Sequence, residues 1–263
     1  MTSIDATVLR ELLGPEGPEL DLFHEIGSTN TFLLDREFAD APGAPRLAVA
    51  ERQTAGRGRR GRSWIAEAGR SACLSLAFEA ARAPSPGLSL AVGCRIARAL
   101  EVMTDGLALK WPNDLLRHGR KCGGILIESR PGRAGEEPLY RVVIGIGLNL
   151  LSPIDTSEIA QPAGGLFDGE AEFPRIEAVI AATALAAVTA YREHLQDGLA
   201  AFVDEWNRFD AWRELEVELS DAGRVMARGI ARGIAPDGAL RLATEAGEQL
   251  IVSGDLSLRG AKR

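Results

Sequence analysis

The stretch "ERQTAGRGRRGRSW", Glu51–Trp64, places Arg57, Arg59, Arg60 and Arg62 within six residues of a chain whose formal net charge is -7. Its reading decides the fold. Gly56, Gly58 and Gly61 satisfy G-x-G-x-x-G after the apolar run "LAVAE" (47–51), which on its face suggests a dinucleotide-binding, doubly wound sheet. In that motif the third glycine opens a helix. Here it is followed by "RSWIAEAGRSA", which carries a turn and then a new strand, and the G-K-[ST] ending of a P-loop is missing. What remains is a glycine-jointed loop whose backbone approaches a ligand closely while guanidinium forks pair with its oxygens. A solvated basic loop is the plain alternative.

One concentrated basic cluster on an acidic chain points to a small carboxylate or phosphate client more than to a polyanion gripped along its length. A single RGG-like copy in a protein of pI about 5.2 is a poor electrostatic footprint for nucleic acid. With 263 residues, 46% hydrophobic, the chain is long enough for one large core and a small second one. The N-terminal "MTSIDATVLRELLGPEGPELD" has no basic and apolar leader pattern, and no run reaches the ~18 apolar residues of a membrane helix. The expectation is a cytoplasmic protein without membrane contact. Cys73, Cys94 and Cys122 form no CxxC pair and read as free thiols.

Outward from the arginine loop, Thr2 to Leu13 reads as an amphipathic helix stopped by "GPEGP", and "LDLFHEI" as a strand. In "GSTNTFLLDREFAD", Ser28 is an N-cap before an apolar stripe of Phe32, Leu33 and Phe38. "ACLSLAFEA" is a strand and residues 87–104 a helix. They are followed by the strand "LALKW", the turn "PND" and the strands "CGGILIES" and "LYRVVIGIGLNL". Pro174 is placed in the first turn of the Ala-rich helix "RIEAVIAATALAAVTAYREHL", with a second helical stretch reaching Phe209. From about Leu215 the pattern changes to short alternating strands separated by "PDGA" and "EAGE", a small all-β barrel. The pattern is therefore one of strands interleaved with helices up to about residue 212, followed by a small all-β unit.

Two further stretches carry chemistry. "LKWPNDLL" sets Lys110, Trp111, Asn113 and Asp114 at a proline-stiffened turn, where Asp114 could serve a hard cation such as magnesium beside phosphate oxygens. An isolated Asn-Asp dipeptide is otherwise an ordinary turn former. "RKCGGILIE" puts Lys121 before two glycines and an apolar run, so its ammonium sits where backbone can close against substrate; a lone lysine would be a solvated charge.

In this order and at these intervals, "GRGRRGRSW", "KWPND" with "RKCGGIL", and "VIGIGLNL", together with "GSTN" upstream, resemble the biotin-protein ligase family over roughly residues 21–263. The resemblance implies an α+β fold: a catalytic domain of mixed sheet and helices over residues 1–212, distantly like that of class II aminoacyl-tRNA synthetases, and a small SH3-like C-terminal β-barrel over 213–263. It implies ATP and magnesium as cofactors, biotinyl-5'-AMP as intermediate, and the lysine of a biotin carboxyl carrier domain as acceptor. Arg59, Lys121 and Asp114 fall at its catalytic positions. Ser28, Thr29, Asn30, Gln53, Arg57, Gly58 and Gly124 fall at positions bordering biotin or the adenylate, with Trp64, Asn113 and Asn149 joining Arg59 on the ATP side. Many bacterial relatives carry an N-terminal winged helix-turn-helix. Only about twenty residues precede "LDLFHEI", so the expectation is a monofunctional form without DNA binding, compatible with a homodimer. Cys122-Gly123 stands where a bulkier apolar residue and a small one are common, a departure that bears on how tightly the biotin tail is held. Lipoate and octanoyl transferases share the general fold and are the rival within it.

Overall fold

The computed structural model describes residues 4–37, 44–134, 137–153, 162–170, 172, 174–221, 224–252 and 257–260. It opens with α1 (Ala6–Leu13), capped by Asp5, whose carboxylate accepts from the N–H groups of Thr7 and Val8. Thr2 and Phe38, assigned to helices from the sequence, lie outside the described residues.

The main sheet has seven strands in the order β1-β2-β3-β7-β6-β5-β4: β1 (Glu19–Ile26), β2 (Arg46–Gln53), β3 (Ser71–Ala80), β4 (Leu107–Lys110), β5 (Asp114–Arg117), β6 (Arg120–Ala134) and β7 (Glu137–Asn149). β1 and β2 run parallel and the remaining neighbours antiparallel, so the sheet is mixed, as the resemblance implies. The helices are α2 (Thr29–Asp35), α3 (Leu88–Leu100), α4 (Ile176–Asp197) and α5 (Val203–Phe209).

The alternation of side chains across a strand separates two faces that differ sharply in size. On one face Leu47, Val49, Leu74, Leu76, Ile125, Ile144, Ile146 and Leu148 are buried in the main hydrophobic cluster with residues of α3 and α4. On the other, the register aligns Ala48 with Ser75 and Gly145, and Ala50 with Cys73, Gly147 and Gly124. "VIGIGLNL" is the code for this: each isoleucine joins the core, and each glycine leaves the opposite face low. Helix α2 covers part of that face, through Leu33 against Ala48 and Val143.

A second, antiparallel sheet of five strands follows, ordered β11-β10-β9-β8-β12: β8 (Glu216–Asp221), β9 (Arg224–Ile234), β10 (Leu240–Thr244), β11 (Gly247–Ile251) and β12 (Ser257–Gly260). Its inner residues Val217, Leu219, Ala231, Ile234, Leu240 and Leu242 belong to the same buried cluster as the main sheet. Trp111 reinforces the junction by donating its indole N–H to the Gly238 carbonyl at 3.0 Å.

Two local expectations change. Pro174 is not in the first turn: α4 starts at Ile176 with Arg175 as its cap, one residue beyond the proline. The four-residue β5, unrecognised in the sequence, turns straight into β6 through His118 and Gly119, both at positive φ (47° and 75°). It is too short to display a periodic pattern.

Candidate active site

The low face of the sheet is the floor of the site. A Cβ added at Gly145 would lie 2.2 Å from Asn30 Oδ1, and one at Gly147 would lie 2.3 Å from Cε2 of Trp64. Both distances are below any real carbon contact, so the two glycines are what let an amide and an indole settle onto the sheet.

Helix α2 forms the first wall. Ser28 caps it, in extended conformation, as the sequence indicates. Its C-terminal end is tied by Arg141, buried, which donates to the carbonyls of Leu33, Arg36 and Glu37 at 3.3, 2.6 and 2.7 Å and pairs with Glu79. These are carbonyls a helix end leaves without intrahelical donors. Held at both ends, the first turn of α2 presents a fixed polar array. The Thr29 N–H donates to Gln53 Oε1 at 2.8 Å, and the Thr29 hydroxyl lies 2.7 Å from Ser75 Oγ. Ser75 donates to Asn30 Oδ1 at 2.6 Å, and Asn30 Nδ2 donates to Glu128 Oε2 at 2.8 Å. Thr29, Asn30 and Ser75 are almost wholly buried, so each polar atom needs its partner.

The arginine loop forms the second wall. It is a narrow hairpin: Trp64 N–H donates to the Gly56 carbonyl at 2.9 Å and Gly58 N–H to the Arg62 carbonyl at 2.7 Å. Its tip turns through Arg60 and Gly61, both left-handed (φ 60° and 70°). Arg57 and Arg59 go different ways from it. Arg57 Nη2 reaches both oxygens of Glu128, at 2.8 and 2.7 Å, whereas Arg59 Nη1 donates to Asn113 Oδ1 at 3.3 Å. Trp64 closes the loop over Gly147, its indole nitrogen buried beside Cys73. Burial pushes the Cys73 thiol up to about 12, so it is a neutral part of the floor.

The "PND" turn and β6 complete the cationic end. Asn113 is locked to β6, its Nδ2 donating to the Ile125 carbonyl at 2.7 Å and its own carbonyl accepting from Ile125 N–H at 3.0 Å. Lys121 Nζ donates to Asp114 Oδ1 at 2.6 Å and lies 5.8 Å from the centre of the Trp64 ring. Lys110 Nζ faces the other Asp114 oxygen at 3.7 Å. Gly124 lies beneath, its absent Cβ position 3.4 Å from Lys121 Nζ and 3.5 Å from Trp64. The main chain of Lys121 is itself fixed, accepting from Gly164 N–H and donating to the Pro162 carbonyl at 2.9 Å each.

The donor set does not make a protein cage for magnesium. Asp114 is the carboxylate nearest the cationic end, each of its oxygens is faced by an ammonium, and among the described residues no group of three or more His, Cys, Asp or Glu could hold a metal. Asn149 is at the end of β7, buried, its carbonyl accepting from Leu166 N–H at 2.8 Å. Ser75 and Glu128 were not singled out in the sequence. Ser75 is hidden in an apolar strand, and Glu128 reads as the solvated end of "GGILIE"; only the alternation of strand faces could have marked them.

The construction has a neutral hydrogen-bonding end at α2 and a cationic end at Arg59 and Lys121, both above the low face of the sheet. Residues 22–149 match the Biotin/lipoate A/B protein ligase family, and residues 216–259 match the Biotin protein ligase C terminal domain. The Bifunctional ligase/repressor BirA of Escherichia coli K12 is 33% identical over 264 residues, spanning 97% of this chain and 78% of the relative. The chain belongs to the biotin protein ligase family. The Biotin--[acetyl-CoA-carboxylase] ligase of Paracoccus denitrificans is 34% identical, over 84% of this ligase and 94% of the relative. A biotin protein ligase from Aquifex aeolicus, solved in complex with biotin and ATP, superposes with a TM-score of 0.76 at 25% identity, covering 92% of this ligase and 99% of that chain. Among the described residues of this ligase no helix is long and apolar enough to cross a membrane.

Proposed function

We propose that this ligase activates biotin with ATP to biotinyl-5'-AMP and transfers the biotinyl group to a lysine of a biotin carboxyl carrier domain. The observation that carries the reading is the polarity of one site, neutral and rich in hydrogen-bonding groups at the end formed by Thr29, Ser75, Asn30 and Gln53, cationic at the end formed by Arg59 and Lys121. A cyclic urea is neutral and needs both donors and acceptors when buried. Its carboxylate tail must be brought against an α-phosphate, so two anions meet and fixed positive groups must offset their repulsion.

In the first step a biotin carboxylate oxygen attacks the α-phosphorus and pyrophosphate leaves. Arg59 and Lys121 are assigned to the carboxylate and phosphoryl oxygens, with Asp114 holding Lys121 in place. Ser28, Gln53, Arg57, Gly58 and Gly124 border biotin, and Asn113 and Asn149 the nucleotide. Magnesium is taken to enter with the triphosphate as part of the substrate. In the second step the carrier amine attacks the acyl carbon, AMP departs and an amide forms; Trp64, packed over the loop, keeps water from the mixed anhydride. Residues 1–212 are taken as the catalytic domain and 213–263 as the barrel that packs on it. A dithiolane or a saturated acyl chain would leave the polar end without partners, which favours biotin over lipoate or octanoate. Calorimetric titration with biotin, lipoate and octanoate tests this: heat with biotin alone is expected, and binding of either fatty acid in preference to biotin would replace the assignment.

A further inference from the structure

Resting on that reading of the site, we propose that Glu128 is a positioning residue that sets the direction of the hydrogen-bond chain through Asn30, Ser75 and Thr29 at the neutral end, and with it the preference for a ligand presenting an acceptor. Thr29, Ser75 and Asn30 can each donate or accept, so their shared chain could run either way. An ionised carboxylate can only accept. Because Asn30 Nδ2 lies 2.8 Å from Glu128 Oε2, the amide is fixed with its NH2 toward the carboxylate and its oxygen toward Ser75. Ser75 must then donate to Asn30 at 2.6 Å, and the contact of 2.7 Å between Thr29 and Ser75 becomes a donation from Thr29, which draws the single hydroxyl proton from Gln53 Oε1, 3.1 Å away and already served by the Thr29 N–H, toward Ser75. The chain thus runs from Thr29 through Ser75 and Asn30 to Glu128, and bonds aligned head to tail in a buried site polarise one another.

A second tie reaches Glu128 from the other wall. Arg57 Nη2 bonds both its oxygens, so one carboxylate joins the arginine loop to the first turn of α2. Asn30 uses one amide hydrogen on Glu128 and keeps a second for a ligand acceptor. A urea carbonyl oxygen is such an acceptor. Replacing the carboxylate by an amide of the same shape keeps the packing yet allows a side-chain NH2 to face Asn30, which flips the amide and reverses the chain.

The test compares wild type, Glu128→Gln and Glu128→Asp in calorimetric titrations at pH 7 with biotin and with 2-iminobiotin, whose cyclic guanidine is protonated at that pH and puts N–H donors where biotin has its urea carbonyl acceptor. It adds the kcat and KM of biotin-dependent pyrophosphate release and the thermal midpoint of each protein. Glu128→Gln is expected to raise the biotin Kd about 10-fold or more, with kcat at saturating biotin within about 3-fold and the midpoint held. It should also narrow the preference for biotin over 2-iminobiotin. Glu128→Asp, which keeps the charge, should bind more weakly but retain the preference, and it carries the comparison if the glutamine variant does not fold. Wild-type biotin affinity and preference in Glu128→Gln, or a fall in kcat with biotin affinity unchanged, overturns the role of Glu128 alone. Absence of biotin binding by the wild type overturns the ligase reading and this inference together.

Discussion

Trp64 lies so close over Gly147 that a Cβ built on the glycine would stand 2.3 Å from Cε2 of the indole. The indole in turn lies beneath Lys121, whose Nζ is 5.8 Å from the ring centre. One methyl group at position 147 therefore displaces the tryptophan and disturbs the cationic end behind it. Gly147→Ala should weaken biotin binding about 10-fold or more while the thermal midpoint moves by only a few degrees, because the displaced ring is at a loop and not in the core. Calorimetry beside a melting curve checks this; unchanged affinity would mean that the ring is not part of the pocket.

Lys121→Ala should slow pyrophosphate release with biotin and ATP by about 10²–10³, the usual cost of losing one donor aimed at developing charge. Its side chain contacts Asp114 and Trp64, so the fold should survive. A rate near wild type in a folded variant would remove it from the catalytic set.

Asp114→Asn separates two roles for the carboxylate. Held between Lys121 at 2.6 Å and Lys110 at 3.7 Å, Asp114 acts as an anchor for the ammonium groups. An amide cannot replace the ion pair, and the rate should fall about 10-fold with no recovery on raising magnesium. A magnesium titration of the initial rate is the check, and recovery at high magnesium would restore Asp114 as a metal ligand.

Much of this site is legible in the sequence because it rests on local chemistry. The cap at Ser28, the glycine-jointed arginine loop and the turn at Asn113-Asp114 are all set by neighbouring residues. Strands interleaved with helices, and a later all-β unit, follow from the hydrophobic patterning and the shift in composition near Leu215, whereas the mixed strand order of the main sheet follows only from the resemblance. What could not be read is long-range register. Ser75 reaches Asn30 across 45 residues, and Glu128 reaches Arg57 across 71, through pairings of β3, β7 and β6 that no local pattern encodes. Arg141 is likewise an ordinary arginine until the fold brings it beneath the end of α2.

Arg59→Ala should release the adenylate early. The guanidinium bridges the loop to Asn113, and its loss removes a charge-assisted contact of ~1.5–3 kcal/mol, equivalent to an off-rate increase of about 10–100-fold. Bystander proteins should then become biotinylated. The ligase itself should take little label, because its only lysines are Lys110, Lys121 and Lys262, and the first two are paired with Asp114. Stopped-flow off-rates and mass spectrometry of both partners check this, and an off-rate equal to wild type would end the assignment of Arg59 as a clamp.

The three thiols make the fold sensitive to alkali. Burial raises Cys73, Cys94 and Cys122 from 9.0 to about 12 each. The folded state thus keeps protons that the unfolded chain gives up, so this contribution to stability is complete below about pH 9 and is lost as pH rises toward 12. Denaturant midpoints should fall from pH 9 upward, and iodoacetamide at pH 8 should modify the thiols only after unfolding. Rapid labelling of the native protein at pH 8 would contradict the burial.

The most direct test of the central claim is pyrophosphate release measured with ATP and magnesium, with and without biotin, before any acceptor is added. Release that requires biotin and amounts to about one equivalent per active site, followed by turnover when a biotin carboxyl carrier domain is supplied, is the expected result. Release independent of biotin, or none in its presence, would contradict the assignment of Arg59 and Lys121 to a biotin-adenylating site.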